Sequence, residues 1–120
     1  MDTAKLIAQW IIGLGILNVW LLRRQRPTVY RGGAAKMMQE EFAVYGLPVG
    51  FMYAVGVVKV SLALALIAGT WMPELVRPAA VAMAALMTAA ILMHLKVKDA
   101  PIKSLPALIM LGLSVFVATA

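Results

Sequence analysis

The chain contains no cysteine, and that absence removes disulfides, thiol nucleophiles, thiolate metal sites and iron–sulfur clusters in one step. Histidine is nearly as scarce: the one residue, His94, cannot form a bis-histidine haem site within a single chain. Charge is scarce as well, at 13% of 120 residues against 63% hydrophobic, with a mean hydropathy of +0.92. A soluble domain of this length needs far more charge to cover its surface. The five acidic residues are outnumbered by eleven Lys and Arg, giving a formal charge of +6.

What the chain has instead is long apolar runs, and the solvent that suits them is lipid. They predict an all-α fold, a polytopic membrane four-helix bundle with room for one domain. The spans are expected at about 3–22, 48–69, 77–95 and 105–119, each near the length needed to cross ~30 Å of hydrocarbon. The first run ends in arginines instead of a small-residue cleavage site, so it reads as a transmembrane helix and not a signal peptide. Gly32-Gly33 breaks the first loop, and a short amphipathic helix is expected after it at about 34–45. On a helical wheel Ala34, Met37, Met38, Phe42 and Tyr45 share one face of that segment, which suits a helix at the interface on the cytoplasmic side. The third span is rich in alanine, which suits a central position touching several neighbours. Gly46, Gly50 and Ala54 form a small-xxx-small ridge that suits close helix contact.

The placement of the basic residues decides between nucleic acid and membrane. Arg23, Arg24, Arg26, Arg31 and Lys36 fall in the first loop and Lys96, Lys98 and Lys103 in the third, against Lys5 and Arg77 on the other side. Eight against two is a positive-inside signal, so the expected location is a bacterial inner (plasma) membrane, multi-pass, with both termini away from the cytoplasm. The expected partner is the lipid bilayer, and nucleic acid is excluded.

Lys59 is the most informative residue. No other charge occurs between Phe42 and Thr70, and an intramembrane cation is expensive enough to mark a ligand, an anion or a proton pathway. The bland alternatives are an interior ion pair, or a stem that snorkels to the interface. Glu41 interrupts the apolar face of the short helix. In one straight helix it would stand eighteen residues from Lys59, on the same face but ~27 Å away. A bend at Pro48 would change that separation. Asn18, Glu41 and His94 are expected at similar depth near the cytoplasmic mouth, where they are able to form a polar cluster. For His94 the competing role is to cap the negative end of its own helix. Lys59, Glu41, His94, Asn18 and Tyr45 are therefore the candidate ligand-binding residues. No residue is assigned to catalysis or to a metal. The nine methionines invite a Cu(I) reading, but most belong to apolar faces and need no metal. Gly13-Leu14-Gly15 lacks the strand and third glycine of a dinucleotide fingerprint.

Several segments resemble the DoxX-like family: Gly46-Leu47-Pro48, Gly56-Val57-Val58-Lys59-Val60, His94-Leu95-Lys96-Val97-Lys98-Asp99-Ala100-Pro101 and Lys103-Ser104-Leu105-Pro106-Ala107. The resemblance covers nearly the whole chain and is most specific from His94 to Pro106. It implies a small four-helix membrane protein. The family takes its name from a subunit associated with thiosulfate:quinone oxidation; some relatives are tied to redox or stress complexes and others assist membrane-protein assembly. Many relatives carry glutamate near the position of Lys59. With no cysteine and no metal constellation, the chain has no sulfur redox chemistry of its own. The leading expectation is an accessory or redox-associated subunit, not catalytic alone, with a quinone or lipid-like ligand near Lys59 and a membrane-protein or redox-complex partner. The alternatives are a small anion or solute transporter or channel, and an assembly or scaffold factor. A homodimer is compatible with each.

Overall fold

A computed structural model describes residues 3–22 and 38–120. The described residues contain helices and no strand. Helix α1 (Thr3–Leu17) runs into a π-helical turn, Asn18–Leu22. Helix α2 is Met38–Val44, α3 is Val49–Ala68, α4 is Val76–Lys96 and α5 is Leu105–Thr119. Short 3-10 turns at Pro73–Leu75 and Pro101–Ser104 lead into α4 and α5, each opening on a proline, where a missing N–H costs nothing. The first loop, with its arginines, and the first four positions of the expected amphipathic helix lie outside the described residues.

Among the described residues, four segments are long and apolar enough to cross a membrane: Thr3–Leu22, Val49–Ala68, Pro73–Lys96 and Pro101–Thr119. They form a four-helix bundle in which α1 packs against α3 and α5, and α4 packs against the same two helices. The alanine-rich α4 is therefore one corner of a square, not its centre, and its most extensive contact is with its sequence neighbour α5. Ile12, Met52, Leu66, Met83 and Val117 fill the interior. Ile7, Leu14, Val57, Leu64, Val81, Leu92, Leu108 and Phe116 are exposed on the outer faces. This inside-out surface is what a lipid solvent permits, since hydrocarbon imposes no cost on exposed leucine.

Glycine fixes how closely α1 approaches α3. A Cβ on Gly13 would lie 2.6 Å from the Ile67 side chain and 3.1 Å from the Ala63 carbonyl oxygen. The expected ridge Gly46, Gly50 and Ala54 plays no such part. All three residues are exposed, and a Cβ on Gly50 would meet nothing within 4 Å. The ridge points away from the bundle because the buried stripe of α3 is Met52, Gly56, Ala63 and Leu66.

At the far end of α1, Trp20 packs at the level of Gly56. The first residues of α3 therefore extend past Trp20, and α2 fills the corner beneath it. The chain makes this possible at Gly46, whose φ of +79° reverses its direction. The Gly46 N–H donates to the Ala43 carbonyl (3.0 Å) and the Leu47 N–H to the Phe42 carbonyl (2.8 Å), the paired bonds of a Schellman helix end. Met38, Phe42 and Tyr45 are buried, so the apolar face expected for this segment is turned into the bundle.

Candidate functional site: the Lys59 groove and the bundle-end cluster

Lys59 occupies the middle of α3 and shares the bundle-facing stripe with Gly56 and Ala63, at the three- and four-residue spacing that stacks side chains on one helical face. Its Nζ lies 5.7 Å from the centroid of the Trp20 ring, within reach of a cation–π contact, which gains strength when desolvated. Trp20 is held there by Gly56: a Cβ at that position would lie 2.5 Å from the ring. The Glu41 carboxylate acts electrostatically on Lys59. The straight-helix separation therefore does not apply, because the turn at Gly46 folds α2 back toward the bundle.

Beside this contact a groove of about 290 Å³ is lined by Trp20, Leu21, Tyr53, Gly56, Val57, Val60 and Ser61. Its floor, Trp20 and Gly56, is buried, whereas Leu21, Tyr53, Val57 and Ser61 are exposed. The groove thus opens sideways, between the π-helical end of α1 and the middle of α3. Trp20 is common to the groove and to the Lys59 contact.

A second polar cluster closes the end of the bundle. His94, in the last turn of α4, lies 2.7 Å through Nδ1 from Asp99 Oδ2. Lys103 Nζ approaches the other carboxylate oxygen at 3.8 Å. The Tyr45 hydroxyl lies 3.4 Å from His94 Nδ1, and the two rings meet edge to face with centroids 5.9 Å apart. Lys96 Nζ donates to the Tyr45 carbonyl oxygen at 2.9 Å. Burial pushes the Tyr45 hydroxyl well above the ordinary tyrosine range, and the carboxylates of Glu41 and Asp99 push it further. It is held as a neutral hydroxyl, able both to donate and to accept.

The family model described as DoxX-like family matches residues 29–117. The chain belongs to the DoxX-like family. No curated protein and no solved structure matches it. The matched stretch of this DoxX-like chain contains Lys59, Gly56 and the whole bundle-end cluster, but not Trp20, which α1 supplies.

Of the residues singled out from the sequence of this DoxX-like protein, Tyr45 and His94 meet directly, and Glu41 acts on both Tyr45 and Lys59. Asn18 is exposed on the π-helical turn and is not one of the groove's lining residues. The sequence pattern did not single out Trp20, and it marked Asp99 only as part of the stretch that resembles the family. It also missed two fully buried polar residues. Gln9 donates from Nε2 to the Leu66 carbonyl at 3.1 Å, whereas its Oε1 and Ser114 Oγ have no partner among the described residues. A signal for Asp99 was present: it lies five residues after His94, and a helix that ends between two such residues brings their side chains together. Among the described residues no three His, Asp or Glu side chains gather so as to hold a metal ion.

Proposed function

We propose that this DoxX-like protein is an accessory, redox-associated membrane subunit that binds a lipid-soluble ligand of the quinone class in the groove beside Trp20, with Lys59 as its polar contact. One observation carries the reading: a bundle-facing ammonium stands over the same indole ring that floors a laterally open groove. An intramembrane cation is costly and is retained where it meets a partner. Here it meets the π-face of Trp20, and the Glu41 charge acts on it electrostatically. Lys59 is not itself a wall of the groove; its flexible stem lets the ammonium leave the ring face for a carbonyl oxygen. A volume of about 290 Å³ is at the small end for a ligand pocket, so it suits one headgroup ring whose apolar tail stays in the bilayer. Exposed Tyr53 and buried Trp20 offer the flanking aromatic surfaces.

We place the protein in the bacterial inner membrane with both termini away from the cytoplasm, on the strength of the eight-to-two charge bias. A reporter active only outside the cytoplasm, fused after Ala120, tests the orientation.

The test of function is native mass spectrometry with lipid extraction on gently solubilised wild type and Lys59→Met. The expected result is a co-purifying quinone present in the wild type and lost from the variant. Equal recovery from both, or none from either, sinks the proposal.

A further inference from the structure

Asp99 and Lys59 belong to opposite parts of the molecule, one in the bundle-end turn and the other in the middle of α3, yet contacts join them without a gap. Asp99 Oδ2 is 2.7 Å from His94 Nδ1. The His94 ring meets Tyr45 edge-on at 5.9 Å. Tyr45 stacks at a tilt on Phe42, centroids 6.2 Å apart. Phe42 meets Trp20 edge-on at 6.3 Å, and Trp20 lies under the Lys59 ammonium. One of the five links, Tyr45 to Phe42, falls within α2 and the residue after it, and the links on either side of it each have one end there.

Helix α2 is the part of this series that has least hold on its own position. The seven described residues of α2 do not form enough hydrogen bonds to hold a helix by themselves. What fixes α2 is the turn at Gly46, its buried face, and the grip of α4 on Tyr45 through Lys96 and His94. Trp20 in turn belongs to a π-helical end, a backbone form less regular than the α-helix it interrupts. The Trp20 ring is positioned from outside its own helix, by Gly56 on one side and Phe42 on the other.

We propose that the His94–Asp99 pair positions the groove: by holding Tyr45 it docks α2, and through Phe42 it fixes the Trp20 ring on which Lys59 and the groove depend. This rests on the proposed function only for what the groove holds. Neither His94 nor Asp99 lines the groove, so both are positioning residues. Among the described residues, the groups facing the pair include the Tyr45 hydroxyl, Lys96 and Lys103, with Glu41 acting on Tyr45 from α2.

The test reads Trp20 directly and needs no ligand. A Trp10→Phe, Trp71→Phe background leaves Trp20 as the sole indole. That protein is reconstituted in phosphatidylcholine vesicles with and without brominated acyl chains, whose bromines quench indoles that reach lipid. Trp20 is only 7% exposed, so quenching starts low. His94→Phe keeps a ring against Tyr45 but removes the bond to Asp99, and quenching is expected to rise by about twofold or more as the ring loses its edge-on partner. His94→Asn supplies an amide N–H near the position of Nδ1 and should restore the wild-type value. Gln9→Leu removes a buried hydrogen bond at the other end of the bundle and should leave Trp20 unchanged, which separates positioning from general loosening. Wild-type quenching in His94→Phe, failure of His94→Asn to restore it, or an equal rise in Gln9→Leu would overturn the proposal. Because no ligand enters the measurement, its outcome is independent of whether the groove binds a quinone.

Discussion

Asp99 reaches His94 because the chain turns left-handed between them. Lys98 has a φ of +57°, and the N–H groups of Lys98 and Asp99 donate to the carbonyls of Leu95 (3.1 Å) and His94 (3.0 Å). This is the same Schellman geometry that Gly46 gives to α2, and it places His94, the third residue from the end of α4, beside Asp99, the residue after the left-handed one. That meeting is usually apolar; here it is an imidazole and a carboxylate at 2.7 Å. A ring nitrogen facing a carboxylate so closely must carry the proton, so Nδ1–H donates to Asp99. It follows that the Tyr45 hydroxyl, 3.4 Å from the same nitrogen, cannot donate to it and offers its oxygen as a second, weaker acceptor.

Lys98 holds a conformation that suits glycine. A left-handed backbone costs a residue with a Cβ about 1–2 kcal/mol, and the Lys98 side chain is exposed. Lys98→Gly should stabilise the protein by about 1 kcal/mol, less what glycine loses in unfolded-state entropy. Thermal unfolding in mild detergent checks this; a lower midpoint than wild type would show that the lysine side chain itself contributes.

Gly56 and Gly50 lie on the same helix but differ in what surrounds them. A Cβ on Gly56 would stand 2.5 Å from the Trp20 ring, whereas one on Gly50 would meet nothing within 4 Å. Gly56→Ala should destabilise by about 1–3 kcal/mol through overpacking. Gly50→Ala should be neutral or stabilising by up to about 1 kcal/mol, since alanine favours the helix. The two midpoints, measured side by side, separate loss of a specific contact from a general effect of methyl groups on α3.

Glu41 and Lys59 should behave as a coupled pair. The Glu41 charge acts on Lys59, so removing either charge forfeits their attraction, whereas removing both forfeits it only once. Glu41→Gln and Lys59→Met should each lower the unfolding midpoint, and the double variant should lose less than the sum of the two. Strict additivity in this cycle would show that the Glu41 charge reaches Lys59 too weakly to matter.

The Tyr45 hydroxyl gives the protein an alkaline limit. Its pKa is raised in the folded state, by burial first and then by Glu41 and Asp99. The folded chain therefore keeps a proton that the unfolded chain releases above the ordinary tyrosine pKa of about 10. Where the unfolded state binds fewer protons, stability falls as pH rises. The contribution is fully present below about pH 10 and is lost above it at up to roughly 1.4 kcal/mol per pH unit. Tyr45→Phe should unfold with a flatter pH dependence between about pH 9.5 and 11. Parallel curves for the two proteins would contradict the raised pKa.

The all-helical, four-span architecture was legible in the sequence because lipid imposes a length and a composition on every crossing. The loop arginines and lysines marked the ends of spans. The apolar face of α2 was also legible in Met38, Phe42 and Tyr45, because helical periodicity depends on sequence alone. Periodicity does not say which neighbour a face meets, however. Gly46, Gly50 and Ala54 had the spacing of a contact ridge and point outward, whereas Gly13 and Gly56, which do carry close contacts, had no pattern to mark them.

The sequence by itself determined that Lys59 would be an isolated cation in a membrane helix, since nothing near it in the chain is charged. Only the tertiary structure decided what answers that charge. Trp20, thirty-nine residues earlier, reaches it because α1 ends against the middle of α3. Glu41 acts on it because a left-handed glycine folds α2 back. Both partners are set by where helices end and turn. Those points depend on the packing of one segment against another, and no local pattern in the chain encodes them.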